Sequence, residues 1–271
     1  MKRFKRRTAR MNAQHFRVLT RRYFRQIFTS PGTLLPLLLQ APVMLVVLLI
    51  AADGTAFVNK NLTQANVVLF MLVVMAALSG ILNSYREICK EREVLGREVF
   101  GGLDTTAYVF SKFAVLASCG AVQCAMLFGG SLLFIDFAFP TPAAGYPLCL
   151  GAMILTNFAM TAIGLFLSAL LKKQESAILP VLLLIIMQVV FCDSLIQLDG
   201  AAGLIKYVTP AAWGTAVFGS ACGLNGWTEW FSRPLYDLDP LFPLLALAAL
   251  TALFLLLTAA KLRHTYRRKD Q

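Results

Sequence analysis

The chain has 271 residues, of which 58% are hydrophobic and 14% charged, with a net charge of +11. Soluble domains carry about 45–50% apolar and about a quarter charged residues, so a water-soluble globule is excluded and a single membrane domain is expected. The positive charge gathers at the two ends and between apolar runs, not in a basic stripe interleaved with aromatics, which excludes nucleic acid as its partner and points to anionic membrane lipid.

Ten Lys or Arg lie between Lys2 and Arg25. That stretch is too long for a secretory signal and no small-residue cleavage pattern follows, so the next apolar run is expected to remain as an anchor. Over Asn12–Thr29, Phe16, Leu19, Tyr23 and Ile27 recur at helical spacing with Arg17, Arg21, Arg22 and Arg25 on the flanks. A basic amphipathic helix of this kind lies flat on a membrane surface, although a plain positive-inside anchor has the same composition. Ser30-Pro31-Gly32 ends it. Residues 1–30 therefore read as a cytoplasmic basic tail with an amphipathic connecting helix, and residues 31–271 as the membrane domain.

Crossing a hydrocarbon core takes about 20 apolar residues in a helix. Uncharged runs occur at Pro31–Ala52, Asn61–Tyr85, Phe113–Ile135, Phe137–Leu171, Ser176–Cys192 and Pro240–Ala260, which predicts an all-α membrane protein with six transmembrane helices. The fourth run opens in a Pro- and Gly-rich stretch (Pro140, Pro142, Gly145, Pro147), so its helix is expected to begin near Tyr146. The fifth is short, and Lys172 and Lys173 can snorkel to lengthen it. With both termini cytoplasmic, 22 of the 25 Lys and Arg fall inside, leaving Lys60, Lys206 and Arg233 outside.

Two connecting segments exceed what joining spans requires. Residues 85–112 carry both signs of charge, with Glu93 and Arg97 in the favourable i,i+4 order; Gly101-Gly102 then breaks the helix. A helix continued from the second span and turned back has the shape of a docking surface for a soluble partner, while solvated charge alone accounts for the composition. Residues 194–239 form an external segment that is apolar and contains all three tryptophans, Trp213, Trp227 and Trp230. It reads as one or two short re-entrant or interfacial helices, its tryptophans suited to a headgroup belt. The six cysteines have no metal-ligand spacing, so no metal is expected. Cys192 and Cys222 both fall in the outer segment, which leaves a disulfide between them open.

In this order the segments resemble the membrane domains of ABC-2 type transporters, especially the G-subfamily-like exporters. The resemblance rests on the connecting helix, the run Glu91-Arg92-Glu93-Val94-Leu95-Gly96-Arg97-Glu98 after span two, the Tyr108–Lys112 entry to span three, Phe191-Cys192-Asp193-Ser194-Leu195 at the end of span five, and Tyr207-Val208-Thr209-Pro210-Ala211-Ala212-Trp213 in the outer segment. It implies two such subunits, identical or similar, around a central cavity that is switched by two cytoplasmic ATPase subunits. It assigns coupling to Glu87, Glu91, Arg92, Glu93, Arg97 and Glu98. It places the cavity at Leu72, Met75, Ala76 and Ser79 and at Leu182, Ile185, Ile186 and Val189, and an outer valve at Ser194 and Leu195. Ser194 departs from the bulky apolar residue usual there. Each of these stripes equally fits a core or lipid-facing helix surface. An apolar lining favours a hydrophobic or amphipathic substrate.

A nucleotide-binding P-loop needs GxxxxGK[ST], and the sequence contains no Gly-Lys pair. No catalytic residues and no cofactor are therefore expected in this chain; ATP and magnesium belong to a separate partner subunit, an arrangement suggesting a bacterial inner membrane. The rival readings are a membrane enzyme, which lacks a catalytic constellation, a non-ABC carrier, which lacks buried charges and matching halves, and a membrane scaffold or immunity subunit.

Overall fold

The computed structural model describes residues 12–171, 175–194, 202–228 and 231–267, and all regular structure among them is helical. The α-helices are α1 (Ala13–Thr29), α2 (Pro31–Ala51), α3 (Leu62–Ser84), α4 (Arg92–Phe100), α5 (Thr105–Ser131), α6 (Pro142–Leu170), α7 (Ile178–Val190), α8 (Ala202–Ile205), α9 (Pro210–Cys222) and α10 (Leu241–Arg267). Five stretches are long and apolar enough to cross a membrane: α2, α3 with its continuation, α5, α6 and α10. The expected fifth span runs only over Glu175–Val190. At 1.5 Å per residue it reaches about 24 Å, short of a core of about 30 Å. Lys172 and Lys173, expected to lengthen it, lie outside the described residues.

Helix boundaries follow from capping chemistry. Asn12 caps α1 by accepting from Gln14 N and His15 N, and Ser30 separates it from Pro31 at the first turn of α2, where a missing N–H costs nothing. Asp104 starts α5 well before the expected Phe113: its Oδ1 accepts from Thr106 N and its Oδ2 from Asn12 N, both at 3.0 Å, so one carboxylate caps α5 and ties down the start of α1. The Pro-rich stretch expected to be a loop is already helix, with Pro142 in the first turn of α6.

The second span does not run straight into the charged segment. α3 stops at Ser84, the chain turns through residues 85–91, and α4 follows. Ser168 Oγ on α6 accepts from Ile88 N and Cys89 N at 3.0 Å each, which satisfies backbone donors freed by the turn and folds the charged elbow against the bundle.

α6 is the central helix, packed against α3, α5, α9 and α10. Small residues set the α3–α6 distance. A side chain on Gly80 would run into the Asn157 carbonyl, and one on Gly164 into the Ser84 hydroxyl. Asn157 Nδ2 donates to Ser79 Oγ at 2.7 Å and to Ala76 O at 3.1 Å. Close approach and interhelical hydrogen bonds are what hold helices together where lipid removes the hydrophobic drive.

The amphipathic stripe of α1 is spent on protein. Leu19 and Tyr23 are buried in a cluster with Leu95, Val99, Tyr108 and Leu262, while Arg17, Arg21, Arg22 and Arg25 stay exposed. In the segment between α7 and α10, α9 is likewise drawn inward. α9 is buried against α3 and α6, where Gly214 lets it approach Thr156 and Val73. Trp213, expected in a headgroup belt, is 7% exposed and donates its Nε1–H to Tyr207 O at 2.8 Å. Trp227 is half-buried and Trp230 lies outside the described residues. All six cysteines are buried and none is paired in a disulfide, so Cys192 and Cys222 are not joined.

Candidate functional site

Lys112 stands in the second turn of α5 and is 3% exposed. An ammonium cannot be buried there without compensation, and the elbow supplies it. Lys112 Nζ lies 2.9 Å from Glu87 Oε2 and 2.8 Å from Glu91 Oε1. Lys90 closes on the other oxygen of Glu87. Tyr108 and Tyr23 donate their hydroxyls to Glu91 Oε2 at 3.0 and 3.4 Å, and the Tyr23 ring sits 4.1 Å from Lys112 Nζ. Two cations and two carboxylates thus balance, with most oxygens hydrogen-bonded, which is the condition for tolerating such a cluster. Burial pushes the Glu87 carboxyl up, but Lys112 and Lys90 outweigh it and hold it below the usual carboxylate value. Burial and then the charge of Glu91 push the Tyr23 phenol up, keeping it a donor.

A second set of contacts ties the elbow to the remaining helices. Arg22 Nη1 of α1 lies 2.6 Å from Glu98 Oε1. Arg92 donates to Leu171 O at the end of α6, and its own carbonyl accepts from Tyr266 OH of α10 at 3.3 Å. The elbow is therefore fastened to α1, α5, α6 and α10.

These contacts divide the six residues expected to couple. Glu87, Glu91, Arg92 and Glu98 are engaged with other helices, whereas Glu93 and Arg97 are exposed and, among the described residues, form no ion pair with each other. α4 consequently has two faces. Leu95 and Val99 are buried; Glu93, Val94 (51% exposed), Arg97 and Phe100 (80% exposed) point away from the bundle. Gly102, at φ +102°, then turns the chain into α5 in a conformation glycine adopts without strain. Sequence reasoning missed Phe100, which precedes the Gly101-Gly102 break. It also missed Tyr23, Asp104 and Ser168 as fasteners. The available signal was Lys112 itself, a lone charge between Phe110 and Phe113 in an apolar helix, which demands partners.

The expected cavity residues separate by helix. Leu72, Met75, Ala76 and Ser79 are buried inside the single chain, Ser79 accepting the Asn157 hydrogen bond. Their stripe faces α6 and α9 because that is where the small residues of α3 allow close packing. The more open edge of α3 is Val67, Met71, Leu78 and Leu82. On α7, Leu182, Ile186 and Val189 are exposed and Ile185 packs half-buried near Val181. Ser194, expected in a valve, is buried with its hydroxyl 3.3 Å from Asn66 O; Leu195 lies outside the described residues. Beside it Asp193, at φ +58°, is buried with Lys206 Nζ at 3.0 Å and Arg233 Nη1 at 3.7 Å.

Comparison with known proteins fits this arrangement. The family model of the ABC-2 type transporter matches residues 14–221, which run from within α1 through the elbow into α9. The chain is also 32% identical over 157 residues to the ABC transporter ATP-binding/permease protein Rv1747 of Mycobacterium tuberculosis, a match covering 55% of this chain. It spans only 18% of that relative's length. With the family match extending over most of its length, the chain belongs to the ABC-2 type transporter family as a membrane permease domain.

Proposed function

We propose that this chain is the membrane subunit of an ABC exporter, driven by a separate ATPase that docks on the exposed face of α4. The carrying observation is the division of α4: one face is fastened to four helices, while Glu93, Val94, Arg97 and Phe100 form a mixed charged and apolar surface with no partner among the described residues. Exposed aromatic anchors rimmed by charge suit a protein interface. A push on that face would pass through Glu98 to α1, through Glu91 and Lys112 to α5, and through Arg92 to α6. The elbow end is then cytoplasmic, consistent with the distribution of Lys and Arg. The exposed apolar residues of α7 (Leu182, Ile186, Val189) and the open edge of α3 face a second copy or a similar chain. The pathway between them takes a hydrophobic or amphipathic substrate from the cytoplasm or inner leaflet outward. The short α7 crosses the membrane as the sixth span.

The test uses the tagged chain extracted in mild detergent from its host, with co-purifying ATP hydrolysis and substrate-free thermal stability as readouts. Val94→Ala combined with Phe100→Ala is expected to reduce the co-purifying hydrolysis by tenfold or more, since interface hot spots contribute about 2 kcal/mol or more each, while the melting midpoint is unchanged. Undiminished hydrolysis would remove α4 as the docking face. Reversing Glu91 is not a clean probe, because it would set a second cation against the buried Lys112.

A further inference from the structure

At the elbow end, α1, α2, α5 and the last turn of α3 enclose a groove of about 730 Å³. Its wall changes character with depth. Arg86, Lys90, Glu87 and Lys112 stand at the elbow end; Gln40 and Asn83 come next; Val43 and Met44 continue along α2. The amide level is a hydrogen-bonded row across three helices. Asn83 Nδ2 donates to Gln123 Oε1 at 2.8 Å, and Gln123 Nε2 donates to Leu37 O at 2.7 Å and to Gln40 Oε1 at 3.3 Å. Gln40 Nε2 ends the row, shut off from solvent and with no acceptor among the described residues. Pro36, inside α2 and in the groove wall, lacks the N–H a helix would use.

We infer that this groove is a binding site for a single anionic glycerophospholipid of the inner leaflet. The order of charge, amide and hydrocarbon is that of a phosphate, its ester carbonyls and an acyl chain. Arg86 stacks on Tyr85, 4.7 Å from the ring centroid, and pairs with no carboxylate among the described residues. The charges of Lys112, Lys90, Glu87 and Glu91 cancel, so Arg86 leaves one positive charge for a phosphate. The unpaired Gln40 Nε2 leaves the amide level short of one acceptor, of the kind an ester carbonyl supplies, and unpaired buried donors are costly. None of the lining residues lies on α7, and Leu82 alone belongs to the open edge of α3, so the groove adjoins the proposed substrate pathway at that one residue and otherwise lies on α1, α2, α5, Asn83 and the elbow. Tyr23, Gln26 and Ile27 of α1 share the wall, so a seated lipid braces the connecting helix against the elbow.

The inference goes beyond the exporter reading and is tested without ATPase or transport. The purified chain is equilibrated with bilayers containing equal phosphatidylglycerol and phosphatidylcholine, then analysed for retained lipid by native mass spectrometry. The wild type is expected to hold one lipid with about fivefold preference for phosphatidylglycerol, the effect of one cation near an anionic headgroup. Arg86→Gln should bring the preference to unity and Arg86→Lys should restore it. Val43→Trp, which fills the apolar slot, should lose both lipids while the melting midpoint of the delipidated protein holds. Equal retention of the two lipids by the wild type, a preference that survives Arg86→Gln, or undiminished retention by Val43→Trp would each overturn the site.

Discussion

A charged residue in this chain acquires its role from the helix it faces, and Lys112 is the sharpest case. Replacing it by Met leaves Glu91 without a cation and Glu87 with Lys90 alone. Breaking one side of a buried ion cluster costs about 3–5 kcal/mol, so Lys112→Met is expected to lower stability by about 3 kcal/mol in denaturant titration, whereas Glu93→Gln on the exposed face stays within about 0.5 kcal/mol. Equal effects of the two would refute the assignment. The pH dependence has a definite sign. Glu87 is held below its ordinary value of 4.5, so its contribution is complete above that pH and disappears as pH falls through the lower folded value. In Lys112→Met the same acid limb should move to higher pH, because burial then acts without Lys112. The charged run was legible in the sequence as a special segment, but the direction of each charge was not. Glu87 and Glu93 are the same residue type six positions apart, and only the fold back of the elbow onto α5 separates them.

At the scale of elements, glycine positions decide which helices touch. Gly80 meets the Asn157 carbonyl, while Gly151 on α6 has open space beside it. Gly80→Leu is expected to cost roughly 1–3 kcal/mol from overpacking, and to disturb the Asn157–Ser79 hydrogen bond. Gly151→Leu should be neutral or stabilising, since glycine is the poorer residue in a helix interior by roughly 0.5–1 kcal/mol. Thermal melts of the two variants in detergent separate these outcomes, and a neutral Gly80→Leu would contradict the packing. The apolar runs made all five of the long helices visible because hydrocarbon thickness sets their length. Their starts were less visible. Asp104 caps α5 from a partly charged loop, and Pro142 opens α6 where proline suggests a turn. The predicted stripe on α3 fell on the core because periodicity marks a helical face without saying whether α6 or a cavity lies opposite it.

For the whole molecule, the arrangement places the beginning of α1, the elbow and the end of α10 at one end of the bundle, and the turn after α9 at the other. If the first end is cytoplasmic, Arg97→Cys should react with an impermeant maleimide only after the membrane is opened, and Gly226→Cys should react in intact cells. The native cysteines are buried and give little background. Labelling in the opposite pattern would invert the topology and remove the docking role proposed for α4.

One small contact bears on how such machines are assembled. Asn12 N is bonded to Asp104 at the entrance of α5, and Tyr266 OH reaches the carbonyl of Arg92 at the start of α4. A polypeptide leader before the first of these positions, or a trailer after the second, would deliver whatever it carries to the same neighbourhood. Covalent attachment raises local concentration to the millimolar range for a short flexible leash. On the exporter reading, a motor joined at either flank would reach the same face of the bundle as one that arrives by diffusion.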